Sequence, residues 1–200
     1  MKYILNILLL LTLNATAQSY KAEIADFRKK YSEEFLSDKD APLKEADLPY
    51  LRFYAVDSLY RVEATAELFT NAPGITIPTY TGKGSDYIRY AKLKFSINGK
   101  PFELTIYQDI ALSKIEKYKD YLFLPFTDLT NGKETYSGGR YIDFREGDFK
   151  GNKLIIDFNK AYNQYCAFGS GYSCPKPPDE NNLQVAIVAG EKLFAKKTNH

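Results

Sequence analysis

Two cysteines, one histidine and a scatter of carboxylates are the residues here whose types could support chemistry, and their spacing narrows it. Cys166 and Cys174 lie in the stretch YCAFGSGYSCPKPPDENN, with seven residues between them. Gly169 and Gly171 let this loop turn sharply, and Pro175, Pro177 and Pro178 stiffen its exit. Three readings stand. A disulfide would close a nine-residue loop and stabilise the fold by roughly 2.5 kcal/mol on the chain-entropy argument. Two free thiols would simply fill core. A metal or redox site would need zinc ligands from Asp179, Glu180 or more distant residues, and the spacing is not the CxxC of thiol oxidoreductases.

The histidine is His200, the last residue. A chain terminus rarely holds a fixed catalytic base. Ser-His-Asp and Cys-His catalysis therefore lack a base at any interior position. HExxH, GxxxxGK[ST] and a GxGxxG opening a helix are all absent from the sequence. No cofactor and no metal is implied.

A second cluster is TYSGGRYIDF, residues 135–144. Gly138 and Gly139 permit a ligand to approach the backbone, and Arg140 offers a planar fork for a carboxylate or phosphate, flanked by Tyr136 and Tyr141. The competing reading is a tight turn whose arginine pairs with Asp143 or Asp157 inside the fold. The carboxylates Asp128, Asp143, Asp157, Glu180 and Glu191 raise a third possibility. Glycoside hydrolysis needs two carboxyl groups about 5–10 Å apart. Asp128, Thr130 and Glu134 in DLTNGKE place oxygen side chains close together, which hints at calcium, but they do not match the EF-hand pattern, and an Asp-initiated turn is the stronger reading. The chain has 17 tyrosines and no tryptophan. Tyr162, Tyr165 and Tyr172 could line a groove for a sugar or peptide, or fill core. The candidate ligand face comprises Arg140, Tyr141, Asp143, Asp157, Asn159, Tyr162 and Asn163.

The elements that must position these groups begin with a leader. Lys2 precedes an apolar stretch from Tyr3 to Leu13, and Ala15-Thr16-Ala17 forms a small-x-small cleavage site. The apolar run is shorter than the about 20 residues that cross ~30 Å of hydrocarbon. Cleavage near Ala17 predicts an exported protein, periplasmic or extracellular, with no transmembrane segment in the mature chain. Its formal charge falls from +2 to +1 when Lys2 leaves. That balance gives no electrostatic footprint for nucleic acid.

Residues 18–40 read as an amphipathic helix capped by Ser19, because Ile24, Phe27, Tyr31 and Phe35 recur at spacings of three and four. Beyond two prolines at 42 and 49 the period becomes two. Tyr60, Val62, Ala64, Ala66 and Leu68 mark one strand, and ITIPTYT another. Leu93, Phe95 and Ile97 lead into Asn98-Gly99, and Phe102, Leu104 and Ile106 lead out, predicting a tight hairpin. IALSKIEKYKDYLF reads as a short helical turn. Strands follow near Arg140–Phe144 and in NKLIIDFN, and LQVAIVAGEKLF closes the chain as a strand or buried segment. The expected fold is mainly β, a sandwich or barrel, with an N-terminal amphipathic helix, and α+β by strict count. The expected divisions are a leader at 1–17, a helix at 18–40 packed on one β-rich domain at 41–195, and a polar tail at 196–200.

The ordered motifs FLPFTDLTNGKETYSGGRYID, DFNKAYNQYCAFGSGYSCPKPPDENNL and AGEK resemble the bacterial domain-of-unknown-function 1684 family. The resemblance runs from the N-terminal helix to Lys192. Gln164 departs from it, standing where the family pattern has proline after Asn163. The family name carries no activity. The residues themselves point to a non-catalytic binding or structural module of the cell envelope, with a small molecule, a glycan or an envelope protein as partner. The alternative is a carboxylate-based hydrolase acting on a glycan or other envelope substrate.

Overall fold

The computed structural model describes the backbone of residues 2–196, with side chains from Gln18 onward. The side chains of the expected leader, and His200, lie outside the described residues. One long helix, α1 (Lys2–Ser37), runs through Ser19, so in the full-length chain that serine sits inside the helix and not at its cap. The apolar stripe faces inward as its spacing requires. Ile24, Tyr31 and Phe35 are buried and Phe27 is half-buried. No helix among the described residues is long and apolar enough to cross a membrane.

Eight antiparallel strands follow: β1 (Arg61–Leu68), β2 (Gly74–Pro78), β3 (Gly84–Ile97), β4 (Lys100–Asp109), β5 (Tyr121–Phe126), β6 (Arg140–Arg145), β7 (Lys153–Asp157) and β8 (Tyr162–Asn163). They form one sheet in the order β7-β1-β3-β4-β5-β6-β8, with β2 alongside β3. Asn98 and Gly99, at φ 50 and 76, make the two-residue turn between β3 and β4, and Ile97 pairs with Lys100. The strand β5 escapes the period-two reading, since YLFLPF is a continuous apolar run that includes a proline. Pro125 donates nothing to the ladder, but its carbonyl accepts a 2.6 Å hydrogen bond from Asn181 Nδ2. The C-terminal segment is buried without forming a strand. Leu183, Ile187 and Ala189 fill the core between the sheet's inner faces.

That core also holds Leu154 and Ile156 from one end of the strand order and Ile142 and Phe144 from near the other. The sheet therefore curls around a single core, and the protein is mainly β, barrel-like, with one N-terminal helix. Two satellite clusters complete it. Ile77, Tyr87, Tyr107, Phe123 and Tyr141 cover the outer face of the sheet. Tyr31 and Phe35 dock α1 onto Ala41, Leu43, Ala167 and Phe168.

Candidate functional site

The pleat of β6 separates structure from opportunity. Successive side chains point to opposite faces, so Arg140, Ile142 and Phe144 turn inward while Tyr141 and Asp143 turn outward. Arg140 is completely buried. Its Nη2 donates to Asp128 Oδ2 at 2.7 Å and to the Ile187 carbonyl at 2.9 Å. Its Nη1 donates to the carbonyls of Ala189 and Glu191. Asp128 is itself held by the backbone N–H and hydroxyl of Thr130 and by the Ile187 N–H. Sequence had offered Asp143 or Asp157 as the internal partner of Arg140. The partner is Asp128, twelve residues upstream, where the loop folds back over the barrel end.

The glycines beside Arg140 serve packing. A side chain on Gly138 would strike the Tyr80 hydroxyl at 2.6 Å and Gln164 Nε2 at 2.8 Å. Gly139 has φ +88, and a Cβ there would sit 2.7 Å from the Phe126 carbonyl. The space expected for a ligand is thus occupied by the protein. Gln164, at the position that departs from the family pattern, accepts from the Tyr141 hydroxyl at 2.5 Å and donates to the Gly138 carbonyl at 2.8 Å.

Asn159 and Asn163 are also fully buried and engaged in holding chain segments together. Asn159 Oδ1 accepts from the Asp57 N–H at 3.0 Å, and its Nδ2 donates to the Asp57 carbonyl at 2.8 Å. Asn163 Nδ2 donates to the Lys192 carbonyl at 2.8 Å. Glu180 lies elsewhere on the surface, 2.9 Å from Arg89 Nε. Among the described residues no group of three or more His, Cys, Asp or Glu side chains is placed to hold a metal ion.

A cavity of about 830 Å³ opens between α1, the ends of the sheet and the cysteine loop. Its floor is Asp143. The hydroxyls of Tyr121 and Tyr162 both donate to Asp143 Oδ1, each at 2.7 Å. Asp143 keeps contact with solvent through the cavity, while protein surrounds it on its other sides. That setting raises its pKa through desolvation, against the lowering pull of the two tyrosine hydrogen bonds and Arg145. Glu34 of α1 lines the same cavity, and its pKa is also raised, first by burial and then by repulsion from Asp143. Tyr121 and Tyr162 are held well above the ordinary phenol value by burial and by the neighbouring Asp143 charge.

Asp157 also lines the cavity, but its carboxylate is enclosed. Both oxygens accept from the Tyr20 hydroxyl at 3.0 and 3.1 Å, Asn159 donates to it, and Arg61 stands 3.8 Å away. The remaining wall is aromatic. Tyr31 and Phe35 of α1 meet Tyr162 and Tyr165 with ring centroids 5.7 Å apart in each pair, and Tyr165 continues to Tyr172 at 5.3 Å. The loop carrying Tyr165 and Tyr172 is closed by a Cys166–Cys174 disulfide, and Cys174 itself faces the cavity.

Of the residues singled out from sequence, Tyr141, Asp143, Asp157, Tyr162, Tyr165, Tyr172 and Cys174 line this cavity, whereas Arg140, Asn159 and Asn163 do not. Sequence reasoning missed Glu34 and the cavity face of α1. The place of Glu34 next to Phe35 and one turn from Tyr31 was the available signal.

Comparisons with known proteins bear on the family and the fold. A family model described as "Protein of unknown function (DUF1684)" matches residues 46–192. The chain is also similar to the uncharacterized protein from gene locus rrnAC0354 of Haloarcula marismortui, solved by solution NMR. That likeness has 28% identity and a TM-score of 0.68, and covers 90% of this chain and 97% of the other. No curated protein matches the chain. The family match begins after α1, so the barrel, the cysteine loop and Asp143 lie within it, while the helical wall lies before it. With its match covering most of the sequence, this chain belongs to the DUF1684 family.

Proposed function

We infer that the protein is an exported module of a bacterial cell envelope that binds a small molecule or a glycan in the cavity under α1. The observation that carries this reading is the cavity itself. Its about 830 Å³, aromatic walls and few convergent polar groups with raised pKa values have the character of a ligand site. Export rests on the leader pattern of residues 2–17 and accords with a disulfide-closed loop. Cleavage near Ala17 leaves Phe27–Phe35, the helical wall, in the mature chain.

The hydrolase reading is the weaker one. It called for two working carboxyls among Asp128, Asp143, Asp157 and Glu180. Asp128 and Glu180 are bound in ion pairs elsewhere, and Asp157 is closed off by Tyr20 and Asn159. Of these four, only Asp143 keeps an unpartnered oxygen toward the cavity.

The test is a thermal-shift screen of glycans and small molecules against the protein and against Ile155→Trp. Ile155 lies on β7 at the cavity, exposed enough to accept a larger ring that fills it. The reading expects ligands that raise the wild-type Tm and lose that effect in the filled variant. No hits, or hits indifferent to the substitution, would remove it.

A further inference from the structure

The charge of the cavity specifies its occupant more closely, granted that it is a ligand site. Its basic side chains are engaged. Lys30 pairs with Asp26 at 2.8 Å and Lys160 with Glu23 at 2.7 Å, and neither acid lines the cavity. Arg61 stands by Asp157 and over the Tyr20 ring. Two of the acids are engaged as well. Asp148 accepts the Arg145 N–H at 2.7 Å, and Asp157 is enclosed as described. Glu34 and Asp143 remain. Neither has an ion-pair partner among the described residues, and Asp143 Oδ2 accepts no hydrogen bond from them.

These two carboxylates stand beside Tyr31, Phe35, Tyr162 and Tyr165, whose rings form one continuous wall. The face of an aromatic ring carries negative potential, so such a wall attracts a cation and disfavours an anion. A neutral sugar would leave both acids uncompensated on closure. A hard divalent ion takes six or more oxygen ligands, and among the described residues no group of three or more His, Cys, Asp or Glu side chains is placed to hold one.

We propose that the ligand is an organic cation, an amine or quaternary ammonium group on an apolar body, with its charge set between Asp143 and Glu34 against the tyrosine wall. Desolvation is the first cause of the raised pKa of each acid, joined at Glu34 by repulsion from Asp143 and opposed at Asp143 by the two tyrosine hydrogen bonds and Arg145. A bound cation supplies a counterion to both. Tyr121 and Tyr162, by holding Asp143 Oδ1, leave Oδ2 as the atom open to it.

The experiment is an NMR titration of the protein with choline and with its neutral isostere 3,3-dimethylbutan-1-ol. Calcium is the inorganic control. Choline is expected to shift resonances of Tyr31, Tyr162 and Tyr165 and to bind at least about tenfold more tightly than the isostere, the ratio that 1.4 kcal/mol of charge-dependent attraction gives. Asp143→Asn keeps an acceptor for both tyrosine hydroxyls and is expected to hold its Tm while losing that tenfold preference. Equal affinity for the neutral isostere would overturn the cation and leave the cavity standing as a ligand site. Calcium moving these resonances where choline does not would do the same. No response of the cavity to any probe, joined to a failed ligand screen, would overturn both.

Discussion

Glu191→Gln is expected to stabilise the protein at alkaline pH and to change it little in acid. Glu191 has no exposed surface. Its Oε2 accepts from the Tyr31 hydroxyl at 2.9 Å and the Asn163 N–H at 2.7 Å. Its Oε1 is buried without a partner, and so is Asn163 Oδ1. Burial pushes the carboxyl from 4.5 up to about 8, against the lowering effects of Asn163, Tyr31 and Arg140. A proton on Oε1 supplies the donor this environment lacks, and the amide of glutamine supplies one permanently.

The sign follows from proton binding. Between 4.5 and about 8 the folded chain holds a proton on Glu191 that the unfolded chain has released. Stability is full below 4.5 and falls as pH rises through the folded value. A difference of about 3.5 pH units at 1.36 kcal/mol each makes the total about 5 kcal/mol. That is a large part of the roughly 5–15 kcal/mol that holds a domain together. Asp143 and Glu34 have shifts of the same sign, but they are present in both proteins and cancel in the comparison. Urea unfolding of wild type and Glu191→Gln at intervals from about pH 5 to about pH 9 reads the effect directly. The curves should meet near the acid end and part by several kcal/mol at the alkaline end. Parallel curves, or a variant weakened equally at every pH, would refute the argument, since Glu191 would then be ionised and held by Arg140.

Two further outcomes are expected. Reducing Cys166–Cys174 frees a loop of nine residues and should cost about 2.5 kcal/mol, seen as a lower urea midpoint with reductant. An unchanged midpoint, with both thiols alkylated before reduction, would contradict this. Arg140→Met leaves Asp128 buried without its partner and should cost about 3–5 kcal/mol, while Arg140→Lys recovers only part, because one ammonium cannot reach the four acceptors of the guanidinium. A loss below about 1 kcal/mol for Arg140→Met in urea unfolding would contradict the buried-pair account.

Local signals carried the parts of the fold that local physics decides. The α1 stripe and the Asn98-Gly99 hairpin were legible because periodicity and a positive-φ turn need no distant partner. The strand β5 was not, since a short apolar run containing Pro125 suits buried strand and loop alike, and only pairing with β6 decides it. The site was legible in part for the same reason. Asp143 and Tyr162 lie in motifs that drew attention, but Glu34 shares their cavity only because α1 packs against the sheet, bringing together residues more than a hundred positions apart. Arg140 stayed open between ligand site and internal ion pair because a glycine-flanked arginine has the same sequence whether it faces ligand or core. The pleat of β6 chose the core.

That choice explains why so many polar motif residues sit away from the cavity. Arg140 anchors the carbonyls of Ile187, Ala189 and Glu191, fixing a segment that lies outside the eight strands. Fixed backbone places the Glu191 side chain, which takes the Asn163 N–H from the β8 side and the Tyr31 hydroxyl from α1. Tyr31 and Tyr162, the neighbour of Asn163, meet in one wall of the cavity, 5.7 Å apart ring to ring. The disulfide-closed loop extends that lining at Tyr172 and Cys174. The buried polar network thus acts on the cavity through backbone position, and the ligand itself meets the alternate residues of the same short motifs. In YID of β6, the isoleucine holds the core while the aspartate faces the solvent of the cavity. A one-residue slip of that strand would exchange the two roles and abolish both.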